Sequence, residues 1–217
     1  MLTIHAADLL VTGDQRPALP GGAVLVDGRE CADVGPCEEL MAAHPAARVR
    51  RWPGLLTPGL LNPYGPELLE HAYHPDPREA DELGTEPLTG DALAALAMSD
   101  ARRGASARRG VQRMLAHGTV AVAGELRRPA VVDAVRRAGV SLEERFGRPV
   151  SPPSLDPLAG RPLEEAMAPS PLPPRGMPGR DATFAVFDVP DETALAARGA
   201  GTCVATVVAG RLVYRRR

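Results

Sequence analysis

The run that follows Pro66 gathers four side chains able to do acid–base or metal chemistry: Glu67, Glu70, His71 and His74. On a helix, Glu67 and His71 are i,i+4 neighbours and His71 and His74 are i,i+3 neighbours, so one face presents two imidazoles and a carboxylate. Those donors suit Zn²⁺ or Fe²⁺. The competing reading is a short surface helix with a Glu–His pair, ended by Pro75. We adopt the second, because no other segment offers an obvious fourth ligand. No cofactor is then expected, and His71 and His74 hold Zn or Fe only under the alternative.

Two further residues belong with this run. Glu125 follows the apolar stretch "TVAVAG", at the strand end where ligand sites of α/β proteins gather. Tyr64 stands just before the run, and Tyr64, Glu67, His71, His74 and Glu125 are the candidate pocket residues. Glu67 and Glu125 are the candidate catalytic carboxylates. For Glu125, a solvated loop position beside Arg127 and Arg128 is the plainer reading. His117 precedes Gly118 and is expected to meet the end of its own helix. His5 falls in an alternating strand, and His44 at the end of a short insert. Ser106 and the cysteines have no base at a useful spacing, which leaves nucleophilic catalysis without support.

The elements that position these residues are legible in part. Residues 1–57 read as short strands: "LTIHAADLLVTGD", then two strands about Asp27-Gly28, a favoured hairpin pair. "PCEELMAAHP" is a short helical insert, and "ARVRRWPG" alternates again. The middle predicts one helix from Thr89–Asp91 through Leu93, Leu96, Val111, Met114 and Leu115 to Gly118, then the strand "TVAVAGE". A helix over "RPAVVDAVRRAGV" follows, with Pro129 in its first turn and Gly139 past its end. Residues 148–179 are Pro-rich and read as a linker with a possible helical turn at "PLEEAMA". "DATFAVFD" and the hairpin "VVAGRLVY" return to strands, with Arg215 to Arg217 as a frayed basic tip. The acidic "EADELGTEP" and basic "ARRGASARRGVQR" are either complementary surfaces or two solvated faces.

Composition narrows the classes. A net charge of −2 gives no reason to expect nucleic acid or a membrane surface as partner. Aromatic residues make up only 3%, so the core must be built from Ala, Val and Leu. All 25 basic residues are arginine. Cys31, Cys37 and Cys203 lack metal or redox spacing and are expected as reduced, partly buried thiols. The N-terminus does not read as a secretory signal and no run has the length of a membrane span. A cytoplasmic protein is expected.

Taken together, "GGAVLVDGRECADVGP", "LLTPGLLN", "LAHGTVAVAGE", "DATFAVFD" and "VATVVAGRLVYRR", in that order, resemble the amidohydrolase superfamily, in its imidazolonepropionase-like branch. The resemblance implies an α/β (α+β) fold: a discontinuous β-sandwich from both termini, 1–57 and 180–217, around a barrel-like segment at 58–147. In the family, the "PGLxN" run is followed after one residue by His-x-His, which binds the metal. Here those positions fall on Tyr64 and Pro66. Proline has no donor, and a neutral phenol is a poor zinc ligand. What lies between the two ends is about half of the roughly 250 residues of a complete barrel. The β-α-β-α pattern there supplies two barrel strands.

Three readings follow. The first is a non-catalytic amidohydrolase-like protein, oligomeric or bound to a protein partner that covers the open sheet edges of the cut barrel. The second is a metal-dependent hydrolase of C–N bonds in cyclic amides or amidines, with a site rebuilt around Glu67, His71, His74 and Glu125. The third is a small-molecule module with a metal-free pocket at Tyr64.

Overall fold

The computed structural model describes residues 1–217 except Gln15, Arg148, Val150, Ser170 and Arg217. The N-terminal part runs β1 (Leu2–Ala6), β2 (Leu9–Leu10), β3 (Leu19–Pro20), β4 (Gly22–Asp27), β5 (Glu30–Pro36), α1 (Cys37–Ala43), β6 (Arg48–Arg51) and β7 (Leu55–Pro58). The middle runs β8 (Leu60–Asn62), α2 (Gly65–Leu69), α3 (Ala80–Leu83), α4 (Gly90–Ala94), α5 (Asp100–Leu115), β9 (Thr119–Ala123), α6 (Pro129–Ala138) and β10 (Ser141–Glu143). The remainder is α7 (Leu163–Ala166), β11 (Arg180–Asp181), β12 (Phe184–Phe187), α8 (Glu192–Arg198), β13 (Cys203–Val208) and β14 (Arg211–Arg215).

Among the described residues these strands form three sheets and no closed barrel: β11-β5-β4-β1-β6, β14-β13-β12-β7-β2-β3, and the parallel trio β10-β9-β8. The fold is therefore mixed α/β. Strand alternation decides the layers. In β4, Val24 and Val26 join Leu10, Leu56, Phe184, Val186 and Val207 in one apolar cluster shared by the two larger sheets. Ala23 and Leu25 point the other way, to Leu40 of α1. All four residues of β12 are buried, because Phe184 and Val186 face that cluster while Ala185 and Phe187 face a second, with Leu158, Leu163 and Leu195. A strand covered on both faces reads as an unbroken apolar run, as "FAVF" does.

The trio has its own layer. Val120 and Val122 of β9 pack under Val111 and Met114 of α5 and Val131 and Val135 of α6. Pro129 opens α6, and Gly139 closes it at φ 79, as the sequence predicts. Gly59 marks the passage of the chain from β7, in the six-stranded sheet, to β8, in the trio. The second hairpin turns at Ala209 and Gly210, with φ 46 and 73, the doubly left-handed turn that suits strand twist.

Several expectations are corrected. The single helix from Thr89 to Gly118 is two, α4 and α5, because Ser99 caps a fresh start by accepting the Arg102 N–H at 3.2 Å. The trio holds a third parallel strand, β10, where the pattern supplied two. Arg215 is not part of a frayed tip: it pairs in β14, opposite Ala205. Arg217, also assigned to that tip, lies outside the described residues. The acidic and basic runs meet within the chain, through Arg102–Glu79 at 2.7 Å and Arg113–Glu86 at 3.9 Å.

The Pro-rich run forms a strap. Leu158, Leu163, Ala166 and Leu172 are buried. Met167 bridges antiparallel to Leu60, and the Ala168 N–H donates to the Gly59 carbonyl at 2.8 Å. The free side of β8 is thus covered by the chain itself. Among the described residues, no strand pairs with the outer side of β10. Among the described residues no helix is long and apolar enough to cross a membrane.

Candidate functional site

The C-terminal end of β8 opens on "NPYGPE". Asn62 is fully buried. Its amide donates to the Ser154 carbonyl at 2.9 Å, and its Oδ1 accepts the Tyr64 N–H at 3.0 Å. Tyr64 is the residue before α2. Its hydroxyl donates to the Ser151 carbonyl and lies 2.7 Å from Ser151 Oγ. Pro66 sits in the first turn of α2. Both the amide and the phenol are therefore spent on the strap, and Pro66 has nothing to offer.

Glu67 faces Arg145, which follows β10. The Arg145 guanidinium donates to Glu67 Oε1 at 2.7 Å and to the Pro63 carbonyl at 3.1 Å. Glu67 Oε2 is buried and has no partner. This pair ties the end of β8 to the loop beyond β10, with the charge of the carboxylate balanced by the arginine.

The helical spacing expected for the histidines does not hold. Helix α2 ends at Leu69, with Glu70 as its cap residue. Glu70 turns away and accepts the Arg127 and Arg128 N–H groups at 2.8 and 2.6 Å. A carboxylate there satisfies donors at the start of α6 and complements its dipole. His71 is left exposed. His74 is buried, 2.8 Å from the Leu68 carbonyl through Nε2, with its Nδ1 unpartnered. Burial holds its pKa below the ordinary histidine range. Glu125 is exposed and paired with Arg127 at 2.9 Å.

The five candidates therefore do not converge. Tyr64 and Glu67 share the mouth of β8, His74 lies inside against α5, and His71 and Glu125 face solvent. Among the described residues no three His, Cys, Asp or Glu side chains form a metal-holding group. The donor set does not fit the metal of the resembling family: the phenol is engaged, proline is inert, and the two histidines are apart. Three residues of the mouth were not picked out in the sequence: Asn62, Arg145 and Ser151. Of these, only Asn62 gave a signal, as a polar residue closing an apolar strand.

Two of the other histidines, His5 and His117, are held within the fold. His5 accepts the Trp52 indole N–H at 3.1 Å, and burial, with a smaller push from Arg50, lowers its pKa to about 4. His117 lies 2.9 Å from the Arg113 carbonyl of its own helix. Cys31, Cys37 and Cys203 are free and buried.

No family model and no curated protein matches the chain. Among solved structures, ochratoxinase of A. niger is similar at a TM-score of 0.45 and 21% identity, over 66% of this chain and 31% of its own. Guanine deaminase of E. coli is similar at 0.45 and 12%, over 65% and 36%. An adenosine deaminase of Xanthomonas campestris with bound zinc is similar at 0.43 and 16%, over 64% and 32%. The chain spans about a third of the length of these proteins. Other deaminases and a triazine hydrolase are similar at the same level.

Proposed function

We propose that the chain is a non-catalytic amidohydrolase-like protein that works as an oligomeric or partner-binding module. One observation carries the reading: the mouth of β8, where the resembling family places its first two metal ligands, is closed by the Tyr64–Ser151 and Asn62–Ser154 contacts and by Pro66. The open side of β10 supports the partner-binding half. Leu142 in that strand is 37% exposed and Phe146 just beyond it is 91% exposed. An unpaired strand edge flanked by apolar side chains invites a further strand.

The test joins metal analysis to solution mass. Purified protein should carry metal well below one equivalent, show no melting shift on Zn²⁺ addition, and scatter light as a multiple of 22.8 kDa or as a complex. Stoichiometric Zn²⁺ that disappears in His71→Ala/His74→Ala would sink the non-catalytic reading. A strict monomer across micromolar concentrations, with no co-purifying protein, would sink the assembly.

A further inference from the structure

We propose that the rim between the two larger sheets binds a small phosphate-bearing anion in a cleft of three arginines, Arg48, Arg50 and Arg215. Strand β6 is the edge of the five-stranded sheet and β14 the edge of the six-stranded one. Between them lies a cavity of about 220 Å³, lined by Arg48, Arg50, Arg51, Trp52, Leu212 and Arg215. Arg48 and Arg50, alternate residues of β6, and Arg215 of β14 thus bring three guanidinium groups to one small space, while Arg51 turns to the opposite face, toward Cys37 and Met41 of α1. Among the described residues none of the three has a carboxylate within ion-pair distance. This contrasts with Arg29, Arg102, Arg109 and Arg145 elsewhere, each of which is paired.

The crowding has a cost that an anion would relieve. Burial, and then the charges of Arg48 and Arg215, pull the Arg50 guanidinium below its ordinary range. The walls are built rather than fluid. Trp52 is 9% exposed, its ring stacked 6.0 Å from His5 and crossed by the Arg215 guanidinium at 5.7 Å. Because the indole already has neighbours on its ring, a nucleobase has no free platform there, and the anionic group itself must be what is recognised. Arginine forks match the oxygens of phosphate two at a time, and a phosphate monoester carries about two negative charges at neutral pH. The cavity is too small for a helix, which is roughly 10 Å across.

Trp52 is the sole tryptophan of the sequence and reports directly on the cleft. Its fluorescence should change saturably with inorganic phosphate at constant ionic strength. The dissociation constant should rise by at least about tenfold in Arg48→Gln and in Arg50→Gln. Arg136→Gln, on the exposed end of α6, should leave it unchanged. Circular dichroism of each variant checks that it folds, and the two cleft variants are independent of one another. The proposal is overturned if millimolar phosphate leaves the emission unchanged, if chloride alone reproduces the response, if succinate binds and phosphate does not, or if the folded cleft variants bind as well as the parent.

Discussion

Gly59 lies against Val120 so closely that a methyl group on it would sit 2.3 Å from Val120 Cγ2. The contact lets the turn from β7 to β8 pass directly over β9. Gly59→Ala should therefore be destabilising by about 1–3 kcal/mol, the range of overpacked core changes. Val120→Ala should lose stability through a cavity. Gly59→Ala/Val120→Ala should then be more stable than the sum of the singles allows. Urea unfolding of the four proteins measures this, and strict additivity would argue against the contact.

The strap is held at the mouth of β8 by side chains, so trimming them should loosen it locally. Tyr64→Phe removes one hydrogen-bonding hydroxyl and should cost about 1 kcal/mol. Asn62→Ala leaves buried partners unmade and should cost more, about 1–3 kcal/mol. In hydrogen exchange, both should speed the amides of 151–168 while those of β12 and β13 stay slow.

Stability should fall on mild acidification. His5 has a native pKa of about 4 against an ordinary 6.5. Between those values the unfolded chain takes up a proton that the native chain refuses, so stability is full above pH 6.5 and is lost as pH drops toward 4. The shift corresponds to about 3 kcal/mol. His74, lowered by burial, acts with the same sign. His5→Gln keeps an acceptor for the Trp52 N–H and should flatten the slope. A profile that does not flatten between pH 6.5 and 4 would exclude His5 as its source.

The thiols should be silent until the chain opens. Burial pushes Cys31 to about 12 and Cys203 to about 11. Thiolate is the reactive form, so a thiol reagent at pH 8 should modify neither in the native protein and both in denaturant. Fast native labelling of either would contradict their burial.

Much of the architecture was legible because its signals are local. "FAVF" announces a strand buried on both faces, Asp27-Gly28 and Gly210 announce hairpins, and Pro129 with Gly139 brackets α6. What escaped depends on distant partners. Helix α2 stops at Leu69 because Glu70 serves donors 57 and 58 positions away, which no spacing rule reveals. Strand β10 has only three residues, too few for a period to appear. The prolines of the strap hide its role, since its contacts run largely through backbone carbonyls such as those of Ser151, Ser154 and Leu155. At the mouth, the loss at Tyr64 and Pro66 could be read directly, while the engagement of Tyr64 by Ser151 could not.

The strap also sets an order of events during synthesis. The groups that close the side of β8 are separated from it by 92 residues at Asn62–Ser154 and by 100 at Leu61–Arg161. A ribosome adding about 5–20 residues per second needs roughly 5–20 s to deliver them. Throughout that interval Leu60 and its neighbours have β9 at best on one side and nothing on the other. The nascent chain thus carries a bare strand edge that the finished one does not, and slow translation through 100–160 would lengthen its exposure to misassembly.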